Sequence, residues 1–93
     1  MNKKEITKII AQKTGMTLKD TEAFVDILFE TIKEQVIASE RLTISNFGIF
    51  EVKTRPPKQG YNPYKGEKID IPAYRVISFK PSKNFKKLVK GQD

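Results

Sequence analysis

The side chains that could do chemistry in this sequence are overwhelmingly lysines, and the chemistry open to them is holding phosphate. Fifteen of the 18 basic residues are lysine and three are arginine, against 11 acids and a net charge of +7. Ammonium groups act as point charges on phosphates, whereas guanidinium forks suit bidentate reading of base edges. The composition therefore predicts weak discrimination among bases. Catalysis has little to work with. Histidine and cysteine are both absent, which removes the usual acid/base group at neutral pH, thiolate nucleophiles, disulfides and the commonest metal ligands. Glu22 and Asp26, or Glu30 and Glu34, are spaced i, i+4 on a helical pattern, which far more often marks a solvated face than a cation site. There is no glycine-rich phosphate loop and no nucleophile beside a base. No enzyme, metal or cofactor is expected.

Charge is unevenly placed. Residues 1–40 carry six lysines and seven acids; residues 41–93 carry nine lysines and three arginines against four acids. A near-neutral half joined to a strongly basic half reads as a scaffold carrying a polyanion-binding surface. Lys53, Arg55, Lys58, Lys65 and Lys68 belong to one stretch of the basic half, and Arg75, Lys80, Lys83, Lys86 and Lys87 to the next. Together they are candidates for one continuous basic path.

These groups need positioning. Ile6, Ile9 and Ile10 fall at helical spacing between Lys3 and Thr14, and Gly15 follows as a left-handed terminator. Thr17, with Asp20 three residues on, predicts the start of a longer helix reaching about Ser39. Phe24, Val25, Leu28, Phe29, Ile32 and Val36 project within an arc of about 140° at 100° per residue. A single small chain has too little else to cover that stripe, so a second subunit is expected against it. Beyond residue 40 the period becomes two. Arg41–Ile44 and Phe47–Arg55 read as a hairpin turning at Ser45-Asn46, with Phe50, Val52 and Thr54 on one face. Arg75–Phe79 reads as a final strand, and Ser82 as the cap of a short helix over 83–90 that Gly91 ends.

Between these strands lies a proline-rich and glycine-rich stretch, 56–66, followed by the alternating Glu67–Ile71. The segment from about 53 to 72 is predicted to be a two-stranded ribbon, its prolines discouraging edge-to-edge pairing. Ten strand residues extend about 33 Å, enough to follow a groove about 6 Å wide around a duplex. Pro63 stands at the tip of that ribbon in Gly60-Tyr61-Asn62-Pro63. Asn-Pro is ordinarily a turn, but a rigid apolar ring can also wedge between base pairs.

The runs Asn46-Phe47-Gly48-Ile49-Phe50-Glu51-Val52, Gly60-Tyr61-Asn62-Pro63, Ile71-Pro72-Ala73 and Phe79-Lys80-Pro81, with the opening Met1-Asn2-Lys3 and Gly15, resemble the bacterial HU and integration-host-factor family, HU more closely. The resemblance spans nearly the whole chain. It implies an α+β fold: two N-terminal helices as a base (1–40), a three-stranded antiparallel sheet with a protruding β-arm (41–81), and a C-terminal helix and tail (82–93). All of 1–93 would form one DNA-binding domain, paired with a second copy in an intertwined dimer.

HU and integration host factor are themselves the standing examples of minor-groove benders with apolar wedges, so this mechanism comes with the resemblance. It implies intercalation by Pro63, body phosphate contacts from Lys3, Lys80, Lys83 and Lys86, and arm contacts from Lys53, Arg55, Lys58 and Asn62. Tyr61, Lys65, Lys68 and Arg75 complete the expected DNA-binding set. Phe29, Phe47, Phe50 and Phe79 are the expected dimer core. The chain departs from the family at Tyr61, where arginine is usual, at Tyr64, where a polar residue is usual, and at Pro56-Pro57 and Asn46.

The expected function is sequence-tolerant binding, bending and compaction of double-stranded DNA, bent, nicked or gapped forms included, in a cytoplasmic nucleoid, with RNA a secondary partner. A host-factor-like subunit preferring particular sites, and pairing with a different chain, is the alternative within the family. A protein-interaction module with basic arms is the alternative outside it. No 18-residue apolar run is present to span a membrane, and the amphipathic start gives no sign of a secretory leader.

Overall fold

A computed structural model describes residues 1–91; Gln92 and Asp93, the end of the expected tail, lie outside them. The chain forms two compact units, Met1–Gln35 and Val36–Asp93.

Helix α1 (Lys3–Thr14) begins where the Asn2 side chain accepts a hydrogen bond from the Glu5 amide at 2.9 Å. It ends where Gly15, at φ 74°, turns its own N–H back to the Ala11 carbonyl. Helix α2 (Leu18–Ser39) starts as expected under Thr17, whose hydroxyl accepts from the Asp20 amide at 3.2 Å. The most enclosed side chains of the first unit are not the large ones. Val25 is 1% exposed and Thr21 0%, while Phe24 is 59% and Ile27 66% exposed. Thr21 and the buried Thr7 tolerate enclosure because each hydroxyl donates to the carbonyl four residues back, both at 2.7 Å. Sequence periodicity passes over such threonines because it scores them as polar. At the far end, Glu40 adopts φ 61°, its N–H donating to the Val36 carbonyl at 2.9 Å. A non-glycine left-handed residue thus ends α2, where no glycine marks the stop in the sequence.

The second unit contains strands β1 (Arg41–Ile44), β2 (Gly48–Arg55), β3 (Lys58–Asn62), β4 (Glu67–Ile71) and β5 (Tyr74–Pro81), then helix α3 (Lys83–Lys90). With the helices this is an α+β architecture. The sheet has the order β1-β2-β5, antiparallel throughout, and β3-β4 form a separate two-stranded ribbon. The turn from β1 to β2 uses Asn46 at φ 61°, as its tolerance of the left-handed region predicts. Strand β5 is longer than the expected Arg75–Phe79, since Tyr74 pairs with Arg55 and the ladder continues to Pro81 opposite Gly48. Gly48 is buried, and a Cβ there would lie 2.5 Å from the Lys80 carbonyl and 2.6 Å from the Phe79 ring. Only glycine lets β2 and β5 approach at this point. Phe79 stacks obliquely against Phe50 (centroids 4.8 Å apart) and Phe47 (5.3 Å), and Phe47 meets Phe85 of α3 at 5.5 Å. Ser82 caps α3 through the Phe85 amide at 3.1 Å, and Gly91 closes the helix at φ 75°.

Candidate nucleic-acid interface

The ribbon and the sheet are one hairpin. Counting outward from Arg55 opposite Tyr74, the register passes Pro56 opposite Ala73 and Pro57 opposite Pro72. It then lands on Lys58 opposite Ile71, the first observed pair of β3 and β4. No residue is inserted or lost across the break. The prolines supply no N–H, so ladder hydrogen bonds lapse there while the strands stay aligned. Strand β1 pairs only with residues 48–51 of β2, so from residue 53 outward the structure is two-stranded. The distance from there to the tip is roughly 30 Å at strand rise.

At the tip, the Gly66 amide donates to the Asn62 carbonyl at 2.8 Å, closing a single helix-like turn. The Asn62 side chain accepts from the amides of Tyr64 (2.9 Å) and Lys65 (3.3 Å), as a helix N-cap does. Pro63 then occupies the first position of the turn, where its missing N–H costs nothing. Gly66 leaves the turn at φ 65°. The wedge candidate is therefore exposed on a pinned knuckle. Asn62, expected as a DNA contact, has its side-chain oxygen engaged inside the turn.

Strand alternation sorts the remaining candidates. Lys53, Arg55, Tyr61, its cross-strand partner Lys68, and Lys80 share one face of the hairpin; Lys58, Asn62 and Arg75 take the other. The expected basic path is thus divided over two faces. Lys53, Arg55, Lys58, Lys65, Lys68, Lys80, Lys83 and Lys86 are all exposed, and none has a carboxylate within salt-bridge distance among the described residues. Lysines without partners keep their charge available for phosphate.

Two candidates are already engaged. Lys3 Nζ lies 2.9 Å from Asp26 Oδ1, with both side chains mostly exposed. Arg75 Nη2 donates to the Ile37 carbonyl at 3.1 Å, serving the last turn of α2, which has no basic residue of its own. Sequence spacing gave no sign of either link, because each joins residues more than 20 apart. Phe47, Phe50 and Phe79 do meet, and Phe85 completes their cluster. Phe29 belongs to the first unit and is half-exposed.

A paired ribbon bearing exposed lysines without acidic partners is a surface suited to a polyanion. A family model described as bacterial DNA-binding protein matches residues 1–90. The DNA-binding protein HU 2 derived from the SPbeta prophage of Bacillus subtilis is 41% identical over 92 residues, covering 99% of this chain and 100% of that protein. The DNA-binding protein HU of Geobacillus stearothermophilus is 39% identical over 90 residues, covering 97% and 100%. Among solved structures, an Anabaena HU–DNA cocrystal structure superposes with a TM-score of 0.82 at 38% identity, covering 96% of this chain and 97% of that one. The chain belongs to the HU and integration-host-factor family of bacterial DNA-binding proteins, which are architectural rather than enzymatic. No described helix is long and apolar enough to cross a membrane.

Proposed function

We propose that two copies of this chain, each acting as a single DNA-binding domain, form a dimer that binds double-stranded DNA with little regard to sequence and bends it. Each ribbon lies in the minor groove, and Pro63 enters a base step at the ribbon's end. The observation that carries this reading is the tip itself: an exposed proline held by a capped turn at the end of a two-stranded, lysine-rich arm. A rigid apolar wedge opens a base step at a cost of a few kcal/mol, which the contacts of the bent duplex offset. The exposed lysines supply sequence-independent affinity by releasing counterions. Repeated bending along DNA compacts it, and the nucleoid of the bacterial cytoplasm is the matching location. Nicked and gapped duplexes bend more cheaply and are suited to the same grip.

A second copy is supported by the apolar surface left uncovered. Phe24, Ile27 and Leu28 on α2 and Leu88 and Val89 on α3 are exposed, more than a stable monomer of this size ordinarily leaves in water. Phe29, Phe47, Phe50 and Phe79 are the side chains proposed to meet that copy. A homodimer is the simplest assembly, because one chain supplies all of these surfaces. Duplex DNA is favoured over RNA because the A-form minor groove is wide and shallow.

The test is the end-to-end distance of a doubly labelled duplex bound by the protein and by Pro63→Ala. The variant keeps most of its affinity and bends the duplex less. Equal distances would remove the wedge from the mechanism.

A further inference from the structure

The tip carries a second ring that the proline wedge does not use. Tyr64 follows Pro63 directly and is 96% exposed. Its neighbour Tyr61 behaves differently: the Tyr61 hydroxyl lies 3.5 Å from where a Cβ on Gly66 would be, so its phenol folds over the turn. Tyr64 has no such support for its side chain, yet its backbone is fixed, since Pro63 restricts the preceding φ and Asn62 Oδ1 holds its amide at 2.9 Å. A tyrosine on a fixed backbone has two torsions left to order, so little entropy opposes its binding. Lys65 stands next to it, exposed, with its amide tied to the same oxygen at 3.3 Å. An aromatic ring beside a free ammonium is the pairing by which single-stranded nucleic acid is held: base on ring, phosphate on cation.

The turn geometry says which base. Successive side chains of a helix-like turn diverge by about 100°, so Tyr64 cannot enter the step that Pro63 occupies. In a continuous duplex every other base has both faces covered by its neighbours. An unpaired base beside the kink offers a face without the unstacking cost of a few kcal/mol. We propose that Tyr64 is a base-stacking residue of this chain, taking an unpaired nucleobase of the bound DNA and adding to the affinity for a duplex that carries one. The inference rests on the reading of the ribbon as the DNA-binding arm.

The experiment uses a duplex with a single unpaired 2-aminopurine, whose fluorescence is quenched by stacking, and a perfect duplex of the same sequence. Both are bound to saturation, monitored by anisotropy, by the wild-type chain, Tyr64→Ala and Tyr64→Phe. Wild type and Tyr64→Phe quench the probe several-fold more than Tyr64→Ala does. Tyr64→Ala also loses about tenfold in affinity for the bulged duplex, within the range for base–aromatic stacking, and less than twofold for the perfect one. Equal emission with wild type and Tyr64→Ala, both bound, overturns the proposal, as does an equal affinity loss on both duplexes. Pro63→Ala on the perfect duplex separates the two readings. If it still lowers the bend while Tyr64 leaves the probe unchanged, stacking fails and the arm reading stands. If neither variant changes its readout, both fail.

Discussion

The three-stranded sheet and the ribbon are successive parts of one hairpin in a single register, yet different forces hold them. In the sheet, β2 has neighbours on both sides near Gly48, Phe79 stacks on Phe47 and Phe50, and the chain tolerates no Cβ at Gly48. In the ribbon, only Gly60, Asn62 and Ile71 are even half-buried, and cross-strand pairing with the tip turn supplies the order. A hairpin this bare is marginal in water on its own. The prolines at 56, 57 and 72 mark the border between the two regimes. The same backbone pattern thus gives a packed anchor at one end and an exposed, basic ribbon at the other.

The contrast is broken most strongly at Gly48. Gly48→Ala forces a methyl onto the Lys80 carbonyl and the Phe79 ring, and overpacking of this kind costs about 3 kcal/mol. Urea denaturation reads that loss as a lower midpoint. A midpoint within experimental error of the parent would mean that β2 and β5 are not anchored there. Asn62→Ala is the matching change at the far end. Global stability stays within about 0.5 kcal/mol, while hydrogen exchange at the Tyr64 and Lys65 amides quickens several-fold because their acceptor is gone. Unchanged exchange at both amides would contradict the pinned tip. Smaller still is Lys83→Ala, which removes one exposed charge at the start of α3. It weakens binding to all duplexes alike and flattens the salt dependence by about one unit. An effect confined to one sequence would make Lys83 a reader of bases instead.

How far the sequence reached follows the same division. Helix ends were legible at Gly15, Thr17, Ser82 and Gly91, because local chemistry alone decides a cap. The ribbon was legible from alternation at 67–71 and the turn residues of 60–66. The links that tie elements together were not. Arg75 reaching the Ile37 carbonyl and Lys3 meeting Asp26 depend on where the chain returns, which no local pattern encodes. The split of the basic residues over two faces was hidden for a related reason: parity is readable along one strand, but the register across the proline break is set by pairing. Buried Thr7 and Thr21 escaped because a hydroxyl bonded within its own helix packs like a hydrophobe. At the tip, Asn62 was read for its outward chemistry, and its inward role emerges only from the turn.

In the proposed function, unpaired lysines hold the DNA backbone without reading its bases. Binding to a random-sequence duplex across several salt concentrations tests it most directly. A log–log slope of about −5 or steeper is expected, with similar affinity for unrelated sequences. A shallow slope, or no binding at low salt, would contradict it and turn the basic ribbon into a grip for a protein partner.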